Sequence, residues 1–291
     1  MLFNSLPFWV FFAIFLALYV RLDRVRQNWL LLLGSYVFYG AWDWRFVGLL
    51  MLTTTVDWFV ALRIDANSVQ AGKKRWLFVT IITDLSILGF FKYYNFFAES
   101  LIDLGARAGL HLEPGLLQII LPVGISFYTF QSLGYVIDVY RGRQAATGNL
   151  LEYGIYTAFF PQLVAGPIER AWHMLPQVRV PRQVTREGLS DGALLISWGL
   201  FKKMYIADNL AEIVTSVFEG PDPLDGLSAL MAVYAFAFQI YCDFSGYTDI
   251  ARGLGRILGF NLFANFHLPY FALNPTEFWR RWHISLSAWL R

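Results

Sequence analysis

The feature that most constrains this chain is a succession of apolar runs at about 7–20, 28–40, 45–62, 76–97, 118–138, 152–168, 192–207 and 228–242, separated by short polar connections. A straight helix crosses the hydrocarbon of a bilayer in ~20 residues, with a range of ~17–25. The runs 45–62, 76–97 and 118–138 meet that length; the others must tilt, thin the bilayer or be covered by protein. Backbone polar groups find no water at membrane depth, so only helices and closed barrels cross it. Runs this long choose helices. With no internal repeat and no low-complexity linker, the expectation is one all-α integral membrane domain over 1–291, a multi-span helical bundle.

Composition narrows the field further. Apolar residues make up 57% of the chain and charged residues 15%, against ~25% charged in soluble domains. Aromatics reach 18%, as suits rings placed at a lipid–water boundary. A net charge of +2 gives no footprint for nucleic acid. The single cysteine, Cys242, excludes an internal disulfide and any multi-cysteine metal site. His111, His173, His267 and His283 show no HExxH spacing, so no metal is expected. Packing or surface use is the expectation for the first three.

Loop charges orient the bundle. Arg21, Arg24 and Arg26, then Arg63, Lys73, Lys74 and Arg75, then Arg141 and Arg143 fill alternate connections. The connections between them, 41–45 and 98–116, hold only Arg45 and Arg107. By the positive-inside rule the amino terminus lies outside the cytoplasm and residue 141 inside. No Lys or Arg precedes the first apolar run, so that span is expected to be retained rather than cleaved. The stretch 169–191, with Arg170, Arg179, Arg182 and Arg186, is basic again. The run 152–168 then returns to the side it left, and Pro161, Gly166 and Pro167 break any helix there. This predicts a re-entrant or broken segment; a kinked ordinary helix is the alternative. The run 192–207 carries Lys202 and Lys203 after its apolar part, and an interfacial helix with snorkelling lysines fits it at least as well as a crossing.

Two polar blocks carry candidate chemistry. In the first, Phe238–Gly253, helical spacing puts Gln239, Asp243 and Tyr247 on one stripe and lets Asp249 pair with Arg252. Carboxylates at membrane depth face a bundle interior or a wet cavity, so the block is either a channel wall or a structural ion-pair network. The second runs from Asn274 to Arg291. Asn274 as N-cap, Pro275 at the first helical position and Glu277 form a helix start. On one continuous helix, His283 would share a face with Trp279, Leu286, Ser287 and Leu290. A neutral imidazole among indoles is a candidate general base; a satisfied packing histidine is the plainer alternative. That helix has no stop signal, which suggests a cut within a longer element.

With those residues in hand the chain resembles the membrane-bound O-acyltransferases, most closely the members that O-acetylate alginate. The resemblance rests on Met1–Ser5, Gly34–Trp42, Leu121–Gln131, Phe160–Ile168, Tyr241–Asp249 and Phe278–Ser287. It implies helices around a funnel or channel that thins the membrane. A cytosolic thioester donor, acetyl-CoA or an acyl-carrier thioester, would there meet a hydroxyl of an exported polysaccharide. It implies no bound cofactor, extracytoplasmic O-acetylation partner proteins, and a place in the bacterial inner (cytoplasmic) membrane. His283 matches the first of two family histidines, for which the resemblance implies an assisting or orienting role. The second, which the family carries in a Trp-His-Gly context as its main catalytic residue, does not occur in these residues, so the 291 residues alone are expected to be catalytically incomplete. Asp243, Gln239, Tyr247, Gln162 and Trp279 are expected to shape the substrate channel. A transporter or channel, or a catalytically silent scaffold, would share the apolar runs and broken segments.

Overall fold

A computed structural model describes residues 1–107, 119–164, 166–220 and 225–291. Among them the regular elements are helices: α1 Leu6–Tyr19, α2 Arg24–Gly40, α3 Arg45–Asp65, α4 Gln70–Arg107, α5 Ile125–Tyr140, α6 Leu150–Ala158, α7 Phe160–Leu163, α8 Ala171–Arg179, α9 Arg186–Leu200, α10 Asp208–Phe218, α11 Gly226–Ile257, α12 Pro275–Arg281 and α13 Ile284–Leu290. A π-helical stretch, Phe201–Ala207, joins α9 to α10. His111 lies outside the described residues.

Three helices are long and apolar enough to span a membrane: α3, α4 and α11. At 1.5 Å per residue α4 is about 57 Å long, so it runs well past the hydrocarbon. The expected 118–138 span is corrected. Gly124 takes φ +76° just after Pro122, and the helix begins only at Ile125. A Cβ on Gly124 would stand 2.4 Å from the Leu163 carbonyl oxygen; α7 therefore seats against the start of α5, and glycine meets both the conformation and the clearance.

The 152–168 segment is broken, and it is buried in protein. The chain leaves the helix at Phe159 (φ −54°, ψ 108°) and re-enters for the single turn α7. The break diverts the Phe160 N–H from its helical acceptor, the Tyr156 carbonyl, to Ser35 Oγ at 3.0 Å. The vacated carbonyl is covered by the side-chain amides of Gln131 and Gln162, the latter at 3.1 Å. This is how irregular backbone survives in an apolar interior: the Phe160 N–H and the Tyr156 carbonyl both acquire new partners. Ser35→Ala is expected to strand the Phe160 N–H and cost about 1–3 kcal/mol; thermal unfolding in detergent reads it.

A cluster of rings from the residue Phe3 ahead of α1, from α1, α2 and the break (Phe8, Phe12, Phe15, Phe38, Phe160) forms the main core, joined by residues of α3, α5, α6 and α11. Arg182, in the basic stretch 169–191, is buried. It donates to Tyr19 Oη (3.0 Å), to the Val178 carbonyl (2.8 Å) and to Asn28. A buried guanidinium is tolerable because its donors are used, and here it ties α1, α2 and the end of α8 together.

Lys202 and Lys203 depart from expectation. Neither snorkels: Lys202 pairs with Asp249 (2.6 Å) and Lys203 with Asp243 (2.7 Å) and Asp208 (2.7 Å). The π-helical stretch widens the turn that carries two adjacent lysines onto α11 carboxylates six residues apart. Alongside, α9 and α11 cross glycine to glycine. Cβ atoms on Gly199 and Gly246 would meet each other's carbonyl oxygen at 2.6 and 2.8 Å, and those on Gly192 and Gly253 at 2.7 and 2.6 Å. Small residues one above another let two backbones touch.

Candidate functional site

The helix expected to run on from Asn274 is interrupted at its centre. Its start is as read: the Asn274 side chain accepts from the Glu277 N–H at 2.8 Å, and the Glu277 carboxylate accepts from the Leu273 N–H at 2.9 Å. After seven residues Trp282 becomes extended (φ −101°, ψ 127°) and His283 turns left-handed (φ 43°, ψ 56°) before α13 begins. Left-handed backbone costs a non-glycine residue roughly 1–2 kcal/mol. It persists where the surroundings over-determine it, often at a functional site.

The constraint comes from residues 265–267. The His267 N–H donates to the Arg281 carbonyl (2.9 Å) and the Ile284 N–H to the Asn265 carbonyl (2.9 Å). Ser285 Oγ donates to Asn265 Oδ1 at 2.6 Å and accepts from the Ile168 N–H at 3.0 Å. The kink carrying His283 is thereby clamped between the loop after α11 and the end of the broken segment. Asn265 is fully buried and escaped the sequence reading, because a lone asparagine between Phe263 and Phe266 carries no periodic signal.

The His283 ring lies 4.8 Å from Phe244, edge to face, and 6.2 Å from Phe127. Its Nε2 is buried and has no partner among the described residues. His283 lies outside the three long spans, and burial pulls its imidazole down from 6.5 to about 4, since desolvation penalises the cation. The fold therefore holds a neutral ring. As pH falls from about 6.5 towards 4 the unfolded chain binds a proton that the folded chain refuses, so stability is lost across that window. Imidazole NMR should report half-protonation of His283 near 4; a midpoint near 6.5 would show an exposed ring.

His283 opens on a cavity of about 460 Å³ walled by Thr276, Trp279, Trp282, Leu286, Ser287 and Leu290. Trp279 thus joins His283, as do the three other residues expected on its face, although by a kink rather than a continuous helix. On the far side of α13 a second cavity of about 460 Å³ is bounded by Ile284, Ser285 and Ala288 with Asp138, Arg143 and Arg170. One short helix forms the partition between them.

The other expected channel residues sit elsewhere. Asp243 is held by Lys203, whose ammonium also lies 5.5 Å over the Tyr247 ring. Gln239 is half-buried with its Oε1 unpaired. Gln162 is buried on Gln131 and the Tyr156 carbonyl, one turn of α5 from Phe127. None of these four lines the His283 cavity; α11 touches the His283 ring itself, through Phe244. The Asp249–Arg252 pair forms as spaced, at 3.2 Å. His173 is a packing residue: it bonds the buried Glu169 at 2.7 Å and stacks on Phe263 at 4.0 Å. Burial pushes the Glu169 carboxyl up, against the pull of His173 and of the Phe263 N–H. No group of three or more metal-ligating side chains occurs among the described residues.

Against known proteins, residues 143–291 match the model of the membrane-bound O-acyltransferase family. The whole chain aligns with the "Probable alginate O-acetylase AlgI" of Azotobacter vinelandii at 43% identity, covering 58% of that protein. It aligns with the same-named protein of Pseudomonas aeruginosa at 42%, covering 56%. A "Peptidoglycan O-acetyltransferase" of Helicobacter pylori is 35% identical over 94% of this chain and 56% of its own length. The chain spans a little over half the length of these relatives. It belongs to the membrane-bound O-acyltransferase family.

Proposed function

We propose that this chain contributes the His283 half of a membrane O-acyltransferase, which moves an acetyl or acyl group from a cytosolic thioester to a hydroxyl of an exported polysaccharide. The observation that carries this reading is a left-handed, half-buried histidine on the wall of an apolar cavity, its buried Nε2 without a partner among the described residues. A hydroxyl attacks a thioester slowly unless a base takes its proton, and a positioned imidazole supplies ~10²–10⁴-fold. In the step proposed, the acceptor oxygen bonds to the acyl carbon while its proton passes to the neutral ring. The carbon–sulfur bond then breaks, and the thiolate leaves with that proton. Holding both reactants in one narrow space supplies more of the acceleration, and exclusion of water strengthens any donor facing the oxyanion. Trp279, Trp282 and Leu286 would exclude water; the Asn265–Ser285 clamp would fix the ring.

The acceptors in the relatives' names, alginate and peptidoglycan, support an extracytoplasmic polysaccharide. Acetyl-CoA and an acyl-carrier thioester both suit the donor role, and extracytoplasmic O-acetylation proteins would complete the relay. The relatives' bacterial sources support a place in the bacterial inner membrane, and the charge alternation supports an amino terminus outside. Full-length protein in liposomes, given acetyl-CoA or an acylated carrier on one side and polysaccharide on the other, tests the reading. Thiol release that depends on acceptor supports it. Solute uptake without thiol release would make the protein a transporter, and partner binding without turnover would leave it a scaffold.

A further inference from the structure

A polar cavity apart from His283 has a composition of its own. It holds about 210 Å³ between α9, the π-helical stretch, α11 and the loop after it, and its wall includes Lys202, Ser245, Asp249, Arg252, Asn265 and Trp198. That volume is several times the ~30 Å³ share of one water.

The charge on this wall does not cancel. Lys202 Nζ lies 2.6 Å from Asp249 Oδ2 and 3.0 Å from Ser245 Oγ, and Arg252 Nη1 lies 3.2 Å from Asp249 Oδ1. Two cations share a single carboxylate; the next one along α11, Asp243, is committed to Lys203. Two buried polar atoms of the lining, Arg252 Nε and Asn265 Nδ2, have no partner among the described residues. Both are donors, and Asn265 is fully buried. A buried donor without an acceptor is costly, so the site is short of an anion. The exposed His267 ring stands at the rim.

The surroundings say which anion. Trp198 and Leu268 flank the cavity and are 53% and 55% exposed, and the exposed rings of Phe201 and Tyr205 continue from Trp198 in a stacked row. An indole beside a basic pocket, on an apolar exterior, is the arrangement found where headgroups meet acyl chains. The cavity also lies near the end of α11 that packs on the Thr185–Gly188 turn, the end that the charge alternation places in the cytoplasmic leaflet. We propose that this cavity binds the phosphate of an acidic phospholipid, with Arg252 and Asn265 donating to it and the acyl chains lying along Trp198 and Leu268.

The test is native mass spectrometry of the full-length protein released from detergent with equal phosphatidylglycerol and phosphatidylcholine. Phosphatidylglycerol should be retained at least 10-fold in preference, and the preference should fall below 2-fold in Arg252→Gln. Millimolar inorganic phosphate or adenosine 3′,5′-bisphosphate should not displace it. As a measurement that needs no variant, a photoactivatable phosphatidylglycerol should label Trp198 and Leu268 above the rest of the apolar belt. Equal retention of the two lipids, a preference untouched by Arg252→Gln, or label spread evenly would overturn the proposal. Displacement by a soluble phosphate would overturn the lipid assignment. None of these readouts involves acyl transfer, so they stand or fall apart from the role of His283.

Discussion

Replacing His283 with alanine in the full-length protein is expected to lower polysaccharide acetylation by about 10²–10⁴-fold, the range a positioned general base supplies. The variant should still fold. Alanine removes a ring whose Nε2 has no hydrogen bond to lose among the described residues, and the backbone clamp from Asn265 and His267 does not involve the side chain. Loss of activity with an unchanged melting profile therefore separates chemistry from packing. The left-handed backbone at 283 remains a strain for alanine, so His283→Gly should be at least as stable as His283→Ala and equally inactive. Full acetylation in either variant would remove the ring from the reaction.

The second large effect is structural. Gly246→Val or Gly253→Val is expected to abolish assembly of the α9–α11 pair. The added Cβ would meet the Gly199 or Gly192 carbonyl oxygen at 2.8 or 2.6 Å, against backbone that cannot step aside. Overpacking by one side chain costs ~1–3 kcal/mol where neighbours can yield; here the two helices must separate. They would take with them the Lys202–Asp249 and Lys203–Asp243 pairs, stranding charges inside. Monodisperse protein should be lost in size-exclusion chromatography. Gly48→Ala and Gly89→Ala are the matched controls, since nothing lies within 4 Å of their added Cβ atoms; they should be neutral or slightly stabilising.

Much of this architecture was readable in the chain because it follows from local rules. The apolar runs became helices nearly where they lay, and Asn274 with Pro275 and Glu277 opened a helix as their types require. Pro161 marked the broken segment. What could not be read was set by partners distant in sequence. The break stays ordered because Ser35, 125 residues away, accepts the freed Phe160 N–H. The kink at His283 is imposed by Asn265 and His267, so a helical pattern that was locally flawless is interrupted at its centre. Lys202 and Lys203 looked like the polar end of an interfacial helix; only the crossing with α11 reveals their carboxylates. Asp57 and Asp84 are a further instance. Each is a lone carboxylate within an apolar run, and only the fold buries both, with the hydroxyls of Thr80 and Ser132 against Asp57.

The shared face proposed for Trp279, His283, Leu286 and Leu290 survived the loss of the continuous helix. A left-handed residue followed by a new helix start happens to return these side chains to one cavity. The stripe of Gln239, Asp243 and Tyr247 kept its helix, yet Asp243 and Tyr247 turned to Lys203. Helical spacing specifies which residues share a face; it does not specify what that face meets.

The most direct measurement is to locate the bound donor. A non-hydrolysable thioether analogue of the acyl donor, carrying a photoreactive group at the acyl end, should label the wall formed by Trp279, Leu286 and Leu290 in the full-length protein, and excess natural donor should suppress the label. Label confined to lipid-facing residues of α3 or α4, with none on the His283 cavity, would contradict the account.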